Sequence, residues 1–326
     1  MKTIAFFNAK GGTGKTTLAF HLAHMLPRLG YPTLAVDLDP QANLSVAFFG
    51  EERLEEIWQS EEGMMFPSLE PLIAGTGDLG PIVPIEMAED LHVLAGDIRL
   101  SWLEESLSAD WPKLLGGDQR PLRSTTAIYR LIEVAAEAVG ATVTLLDLGP
   151  NVGALNRSAL LAADRVLFPL AADLFSIVGL SELGSVVLRG WREQWKEVLE
   201  LHAAEGTAVD LPAGDMAPLG YVILQHDPKR SSKWSQQIPR AFREGILGED
   251  VEGEVPEDDP YHLATLRSYH GLIAMAQEAH KPMFDLKVSD GALGSYASLA
   301  QKALREFRML ADRIAAVAGL THPSQP

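Results

Sequence analysis

The stretch that decides the fold runs from Lys2 to Phe20, "KTIAFFNAKGGTGKTTLAF". Its first part, "KTIAFFNA", is a short apolar run feeding a glycine-rich turn, the pattern of a buried strand. From Lys15 to Leu26 the chain reads as a helix, because Leu18, Leu22 and Leu26 recur every fourth residue beside Ala19 and Ala23. Pro27 ends or kinks that helix and Gly30 follows as a stop. The turn between strand and helix is close to the phosphate-loop pattern G-x-x-x-x-G-K-[ST]. Ala9 holds the first position, then Lys10, Gly11, Gly12, Thr13, Gly14, Lys15 and Thr16 follow, with Thr17 next. Alanine suits that first position if its backbone angles are ordinary. Glycines let backbone N–H groups converge on phosphate oxygens, and the helix behind adds its positive end. Lys15 is expected to reach the β- and γ-phosphates, and the Thr16 hydroxyl to ligate Mg²⁺. A dinucleotide fingerprint fits less well, since Thr17 stands where its third glycine belongs. One lysine suffices for such a loop, which leaves Lys10 unexplained.

Further strands are expected at "TLAVDLD" (Thr33 to Asp39), "LHVLAG" (Leu91 to Gly96), "ATVTLLDLG" (Ala141 to Gly149), "RVLFPLA" (Arg165 to Ala171) and "LGYVILQ" (Leu219 to Gln225). Helical stretches separate most of them. Alternating strands and helices with continuous apolar strands predict an α/β fold of P-loop NTPase type, a mostly parallel sheet with helices on both faces. A single domain is expected over 1–326, with an irregular insertion at about 48–123 and an acidic loop at about 249–259. The insertion holds three of the six tryptophans, and the acidic loop, "EDVEGEVPEDD", reads as solvated. A packing helix is expected from about Ser295 to Val317, carrying Leu299, Ala303, Leu310 and Ile314 at helical spacing and ended by Gly319.

Composition narrows the chemistry. The chain has no cysteine, which excludes disulfides, thiolate metal sites, iron–sulfur clusters and cysteine nucleophiles. The apolar run before Asn8 is too short for a signal peptide, and no uncharged run approaches a membrane span, so a cytoplasmic protein is expected. The net charge of −17 opposes nucleic acid as a whole-molecule partner, although a local basic patch could override it. His21 and His24, three apart on the first helix, lack a third metal ligand and read as surface or packing residues.

Carboxylates complete the candidate site. Asp37 and Asp39 end one strand, two residues apart and so on one face. Asp147 ends another, in "VTLLDLGPNVG", where a Walker B acid would hold Mg²⁺ through water. Carboxylates at the C-terminal ends of parallel strands lie at the ligand crevice of such sheets.

"KGGTGKTT", "VDLDPQANLS", "LLDLGPNVGALNRSAL" and "ADRVLFPLAADLFSIVGLSEL" together resemble the ParA/Soj branch of the deviant Walker A ATPases, alongside MinD. The likeness continues through "PLGYVILQHDPKR" and "AQEAHKPMFDL" to the final helix. It implies ATP and Mg²⁺ as ligands, ATP hydrolysis, and a homodimer formed on ATP. By this resemblance Lys10 reaches the nucleotide of the other subunit and Lys15 that of its own. Asp39 would orient the attacking water, Asp37 would support the Mg²⁺ network beside Thr16 and Asp147, and Gly149 and Pro150 would form a switch that senses the γ-phosphate. The chain departs from the family in having Ala9 where Gln is frequent, and Gly149-Pro150 where two prolines are.

The family positions or segregates a cargo on non-specific DNA, often with a ParB-like partner that stimulates hydrolysis, and the nucleoid becomes its address when DNA is the track. By the same resemblance the DNA-contacting residues would be Lys229, Arg230, Lys233, Arg240 and Arg243, with Arg267 further on. The alternative for this basic stretch is an ordinary solvated helix face. No membrane partner is expected, because "AAVAGLTHPSQP" is not a basic amphipathic helix. Two other readings stay open: a ParA-fold regulatory or accessory ATPase that does not use DNA, and an ATP-dependent small-molecule ligase of the same fold.

Overall fold

The structure is a computed structural model, and it describes residues 1–116, 118–205, 209–226, 232–256, 258–269 and 271–322. Its strands are β1 (Lys2–Phe6), β2 (Thr33–Leu38), β3 (Ile85–Ala88), β4 (Leu91–Leu94), β5 (Val143–Leu148), β6 (Arg165–Ala171), β7 (Ala217–His226) and β8 (His262–Arg267). They form one sheet in the order β3-β4-β2-β5-β1-β6-β7-β8, parallel throughout except for the β3–β4 hairpin. The helices are α1 (Lys15–Met25), α2 (Asn43–Ser60), α3 (Met65–Ile73), α4 (Leu100–Asp110), α5 (Gln119–Thr125), α6 (Ala127–Ala138), α7 (Ala154–Leu161), α8 (Leu174–Glu182), α9 (Arg189–Glu205), α10 (Ser232–Ser235), α11 (Ile238–Phe242), α12 (Gly271–Ala279) and α13 (Ser295–Ala318).

Strand burial explains the layers. Every residue of β2 and β5 is buried, as central parallel strands require. Alternate residues point to opposite faces, so the sheet supplies two cores. Ala5, Val36, Leu146 and Phe168 pack beneath α3 to α9 and α11. Ile4, Phe6, Ala35, Leu145 and Leu167 pack on the other face beneath α1, α2, α12 and α13. Helix α1 lies against the middle of the sheet and is buried on most sides, Leu18, Ala19, Leu22 and Ala23 included. The final helix runs one residue past its expected end and stops at Gly319, whose φ is 70°.

The segment 48–123, expected to be irregular, is built of regular elements. It supplies β4 and β3 to one edge of the sheet, and α3, α4 and α5 to the core through Phe66, Leu69, Leu103, Leu107 and Leu122. Its periodicity is hard to read because the elements are short and interrupted: Gly50 breaks α2 at φ 71° and Pro71 lies inside α3. Strands β3 and β8 were also not foreseen. Both are edge strands with exposed alternate residues, so neither shows a continuous apolar run.

Helices α8 and α11 each continue into a π-helical turn, Leu183–Leu188 and Arg243–Leu247. The two turns cross where Gly184 meets Gly245, and a Cβ on Gly184 would collide with the Gly245 carbonyl. Only glycine lets the two backbones approach so closely. Gly184→Ala is therefore expected to cost about 1–3 kcal/mol in urea denaturation, as overpacking does. An unchanged midpoint would show that this crossing is loose.

Candidate functional site

The site grows from the register of three strands. Parallel pairing sets Phe6 opposite Asp147 and Asp147 opposite Asp37. The glycine-rich loop leaves β1 at that level and enters α1 at Lys15. Asn8 fixes the start of the loop: its Nδ2 donates to the Pro169 carbonyl at 2.6 Å, and its Oδ1 accepts the Lys10 amide at 3.0 Å. Gly12 and Gly14 take φ values of 73° and 89°, which favour glycine strongly. Ala9 is not among the residues with positive φ, so alanine is accommodated there.

The loop forms one wall of a cleft of about 580 Å³, a usual size for a small-molecule site. Lys10 to Thr17 line it, with Asp39, Gln41 and Pro150 opposite. Phe20, Val46, Ala47, Ile273 and Ala276 give part of the lining an apolar character that sequence reading assigned to no residue. Lys15 is buried at the start of α1, so its cation adds to the positive end of the helix. The Thr16 hydroxyl donates to Asp147 Oδ2 at 2.7 Å. Asp147 Oδ1 and Thr13 Oγ1 are buried and have no hydrogen-bond partner among the described residues. A buried carboxylate oxygen left unpaired is costly, and a cation held against phosphate would satisfy it. Thr16 and Asp147 thus fit Mg²⁺. Burial raises the Asp147 pKa, against Lys15 and the Thr16 hydroxyl, which lower it.

Asp37 does not line the cleft, contrary to the shared-face expectation. Its Oδ2 accepts the Ser45 amide and hydroxyl, both at 2.7 Å, and its Oδ1 accepts the Asp39 amide at 3.2 Å. Ser45 Oγ accepts the Gly96 amide in turn at 3.0 Å. Asp37 therefore ties the end of β2 to α2 and to the end of β4. Burial, and then the nearby Asp147 charge, push its pKa up. Asp39 does face the cleft, and its Oδ1 accepts the Gln41 amide at 3.0 Å.

Lys10 sits at the rim. Its ammonium pairs with Asp173, the N-cap of α8, and lies 5.5 Å from the centre of the Phe175 ring. Partial burial raises the Asp173 pKa, but Lys10 and the Ser176 amide outweigh that and hold it below the usual carboxylate range. Leu174, Phe175 and Val178 leave an exposed apolar patch beside it. Sequence reading missed Asn8, Ser45 and Asp173. The available signal was a short Asx or Ser side chain flanking a strand end, which usually marks no more than a turn.

The basic stretch is largely engaged within the fold. Arg243 donates to Glu249 and to buried Asp259, each at 2.9 Å, and Asp259 also accepts the Tyr221 hydroxyl at 2.9 Å. Arg240 bonds the Gly253 carbonyl and lies 3.6 Å from Glu244. The acidic run is thus not simply solvated: Glu249 and Asp259 at its two ends pair with Arg243, one of the expected DNA contacts, and engage it within the fold. Lys233 is exposed over the Trp234 ring, and Arg267 lies 3.6 Å from Glu306. Lys229 and Arg230 fall outside the described residues.

Central parallel strands, a glycine loop entering a helix, and a strand-end acid bonded to the loop threonine define a P-loop NTPase-type protein. A family model described as an AAA domain matches residues 1–200. Soj of Treponema pallidum, a chromosome-partitioning ATPase, is 30% identical over 291 residues, covering 89% of this chain and 98% of its own. Soj of Bacillus subtilis, a sporulation initiation inhibitor protein, is 27% identical over 186 residues, 57% of this chain and 64% of its own. The match covers less of other relatives: 43% of one from Rhizobium rhizogenes and 62% of one from Methanocaldococcus jannaschii. A crystal structure of a Corynebacterium diphtheriae protein shares the fold with a TM-score of 0.70 at 24% identity, over 97% of this chain and 98% of that one. The chain belongs to this AAA-domain family, within the ParA/MinD superfamily of ATPases. Among the described residues no helix is long and apolar enough to cross a membrane.

Two histidines on α1 make the fold acid-sensitive. His21 Nε2 accepts the Met283 amide at 2.9 Å while Nδ1 lies 2.6 Å from the Thr17 carbonyl, so the ring is neutral with its proton on Nδ1. His24 packs edge-on against Phe20, and its Nε2 is buried without a hydrogen bond among the described residues. Burial lowers both pKa values to about 4. The unfolded chain takes up these protons near pH 6.5, before the folded protein does. The stability they contribute is therefore full above pH 6.5 and is lost as pH falls towards 4, on the order of 3 kcal/mol for each ring. His24→Phe is expected to reduce the loss of unfolding free energy between pH 7 and pH 5. An identical loss in the variant would remove His24 as a cause.

Proposed function

We propose that this protein is a Mg²⁺-dependent ATP-hydrolysing switch that dimerises on ATP and positions or segregates a cargo. The observation that carries it is the pair of lysines on one loop, with Lys15 buried in the cleft and Lys10 at the rim beside an exposed apolar patch. In this reading Lys15 and the N-terminus of α1 hold the phosphates of the subunit's own nucleotide. Thr16 and Asp147 hold Mg²⁺, which when bound offsets the charge on the phosphates. Asp39 orients the attacking water. Lys10 leaves Asp173 and reaches the nucleotide of a second copy, where it offsets charge buried between subunits. Leu174, Phe175 and Val178 would meet that copy. A plasmid partition protein of Borrelia burgdorferi solved with AMPPNP shares the fold, with a TM-score of 0.57 at 15% identity over 97% of this chain and 98% of that one.

Lys10→Ala is expected to abolish the ATP-dependent dimer in light scattering while nucleotide affinity stays within about threefold of wild type. Loss of nucleotide binding with the fold intact would put Lys10 in its own subunit's site.

A second reading, in which the track is not DNA, is favoured by the ion pairs that occupy Arg243. It predicts no ATP-dependent retention of duplex DNA even at about 50 mM salt, where phosphate contacts are strong. Retention with ATP but not ADP, falling steeply with added salt, would establish DNA as the track.

A further inference from the structure

The turn that follows β5 is held from behind by one buried side chain. Asn156, on α7, is 1% exposed. Its Nδ2 donates to the Gly149 carbonyl and the Asn151 carbonyl, both at 2.8 Å, and approaches Asn151 Oδ1 at 3.1 Å. Three acceptors around one group admit only the NH₂ end of the amide, so the orientation of Asn156 is forced. Its Oδ1 is buried without a hydrogen bond among the described residues, so this side chain is more committed to the turn than to its own helix.

The turn so held faces the chemistry. Pro150 lines the cleft with Asp39. Gly149 packs against Asp39 closely enough that a Cβ there would lie 3.5 Å from Asp39 Oδ1. The platform behind is firm. Glu104 accepts the Ala154 and Leu155 amides at 2.6 and 2.7 Å, capping α7. The Arg157 guanidinium lies between the Trp111 and Trp191 rings, 4.5 and 4.8 Å from their centres.

We infer that Asn156 is a positioning residue for hydrolysis: its amide pins the Gly149–Asn151 turn against Asp39 and so sets where the water-orienting carboxylate stands. This rests on the reading that the cleft hydrolyses ATP. Asn156 does not line the cleft, so its loss should spare binding and slow turnover.

The test compares phosphate release, affinity for a fluorescent ATP analogue and melting temperature. Asn156→Asp keeps the shape but turns a carboxylate towards three oxygens, and Asn156→Ser shortens the donor. Both are expected to lower turnover about tenfold or more, with nucleotide affinity within about threefold. Ser158→Ala, on the same helix, removes a buried hydrogen bond to Thr125 at 2.6 Å and should lower the melting temperature without changing turnover. Asn151→Ala, at an exposed position, removes the Oδ1 that accepts from Asn156 and from the Gly153 amide at 2.9 Å, and should slow turnover about threefold with melting unchanged. It decides the matter alone if the Asn156 variants do not fold. Wild-type turnover in folded Asn156 variants, or in Asn151→Ala where it decides alone, would overturn the inference and leave the functional reading standing. A loss of turnover matched by loss of affinity would also overturn it. A wild-type protein that binds ATP and releases no phosphate would overturn the functional reading itself, and the role of Asn156 with it.

Discussion

The parallel pairing of β1 with β5 is the constraint on which the rest of the molecule depends. It sets Phe6 beside Asp147, so the loop that follows β1 opens at the level of a strand-end carboxylate. The Thr16–Asp147 hydrogen bond is the direct product of that register. A shift of one residue would turn Asp147 to the opposite face and place an apolar side chain against the loop threonine. The register is secured by burial, because Ile4, Phe6 and Leu145 fill one core while Ala5 and Leu146 fill the other. Hydrophobic packing on two faces thereby places the polar groups of a site that lies beyond the sheet.

Charge is arranged around this point in layers. Lys15 and the N-terminus of α1 make one wall of the cleft positive, Asp39 lines the cleft, and Asp147 is buried and bonded to the loop through Thr16. Asp37 stays behind them, anchoring β2 to α2 and β4 through Ser45. Lys10 stands apart at the rim, balanced by Asp173. The same kind of internal balance occurs at the far side of the sheet, where Asp259 and Glu249 neutralise Arg243. A chain with a net charge of −17 has abundant carboxylates, and several are used to hold its few cations in place.

Much of this was legible in the sequence. Strands β1, β2, β5 and β6 are continuous apolar runs, since burial on both faces leaves no room for polar alternation. The loop was readable because its geometry needs glycine at Gly12 and Gly14, and few other structures do. The edge strands β3 and β8, helices α3 to α5 and the engagement of Arg243 were not. Edge strands carry weak patterns, and ion pairs join residues whose distance in sequence says nothing about their distance in space.

What the sequence by itself determined is therefore the α/β class, the phosphate loop and the carboxylates placed at strand ends, because each rests on local pattern and on residue types with few substitutes. Only the tertiary structure decided which carboxylate faces the cleft, which partner holds Lys10, and how Asn156 grips the turn before its own helix. Asp37 and Asp39 share a side of one strand in the sequence pattern, yet β2 ends at Leu38, and Ser45 on α2 claims the first while the cleft receives the second. Hydrogen bonds select among acceptors by distances of tenths of an ångström, and those distances exist only once α2, α7 and the sheet have packed.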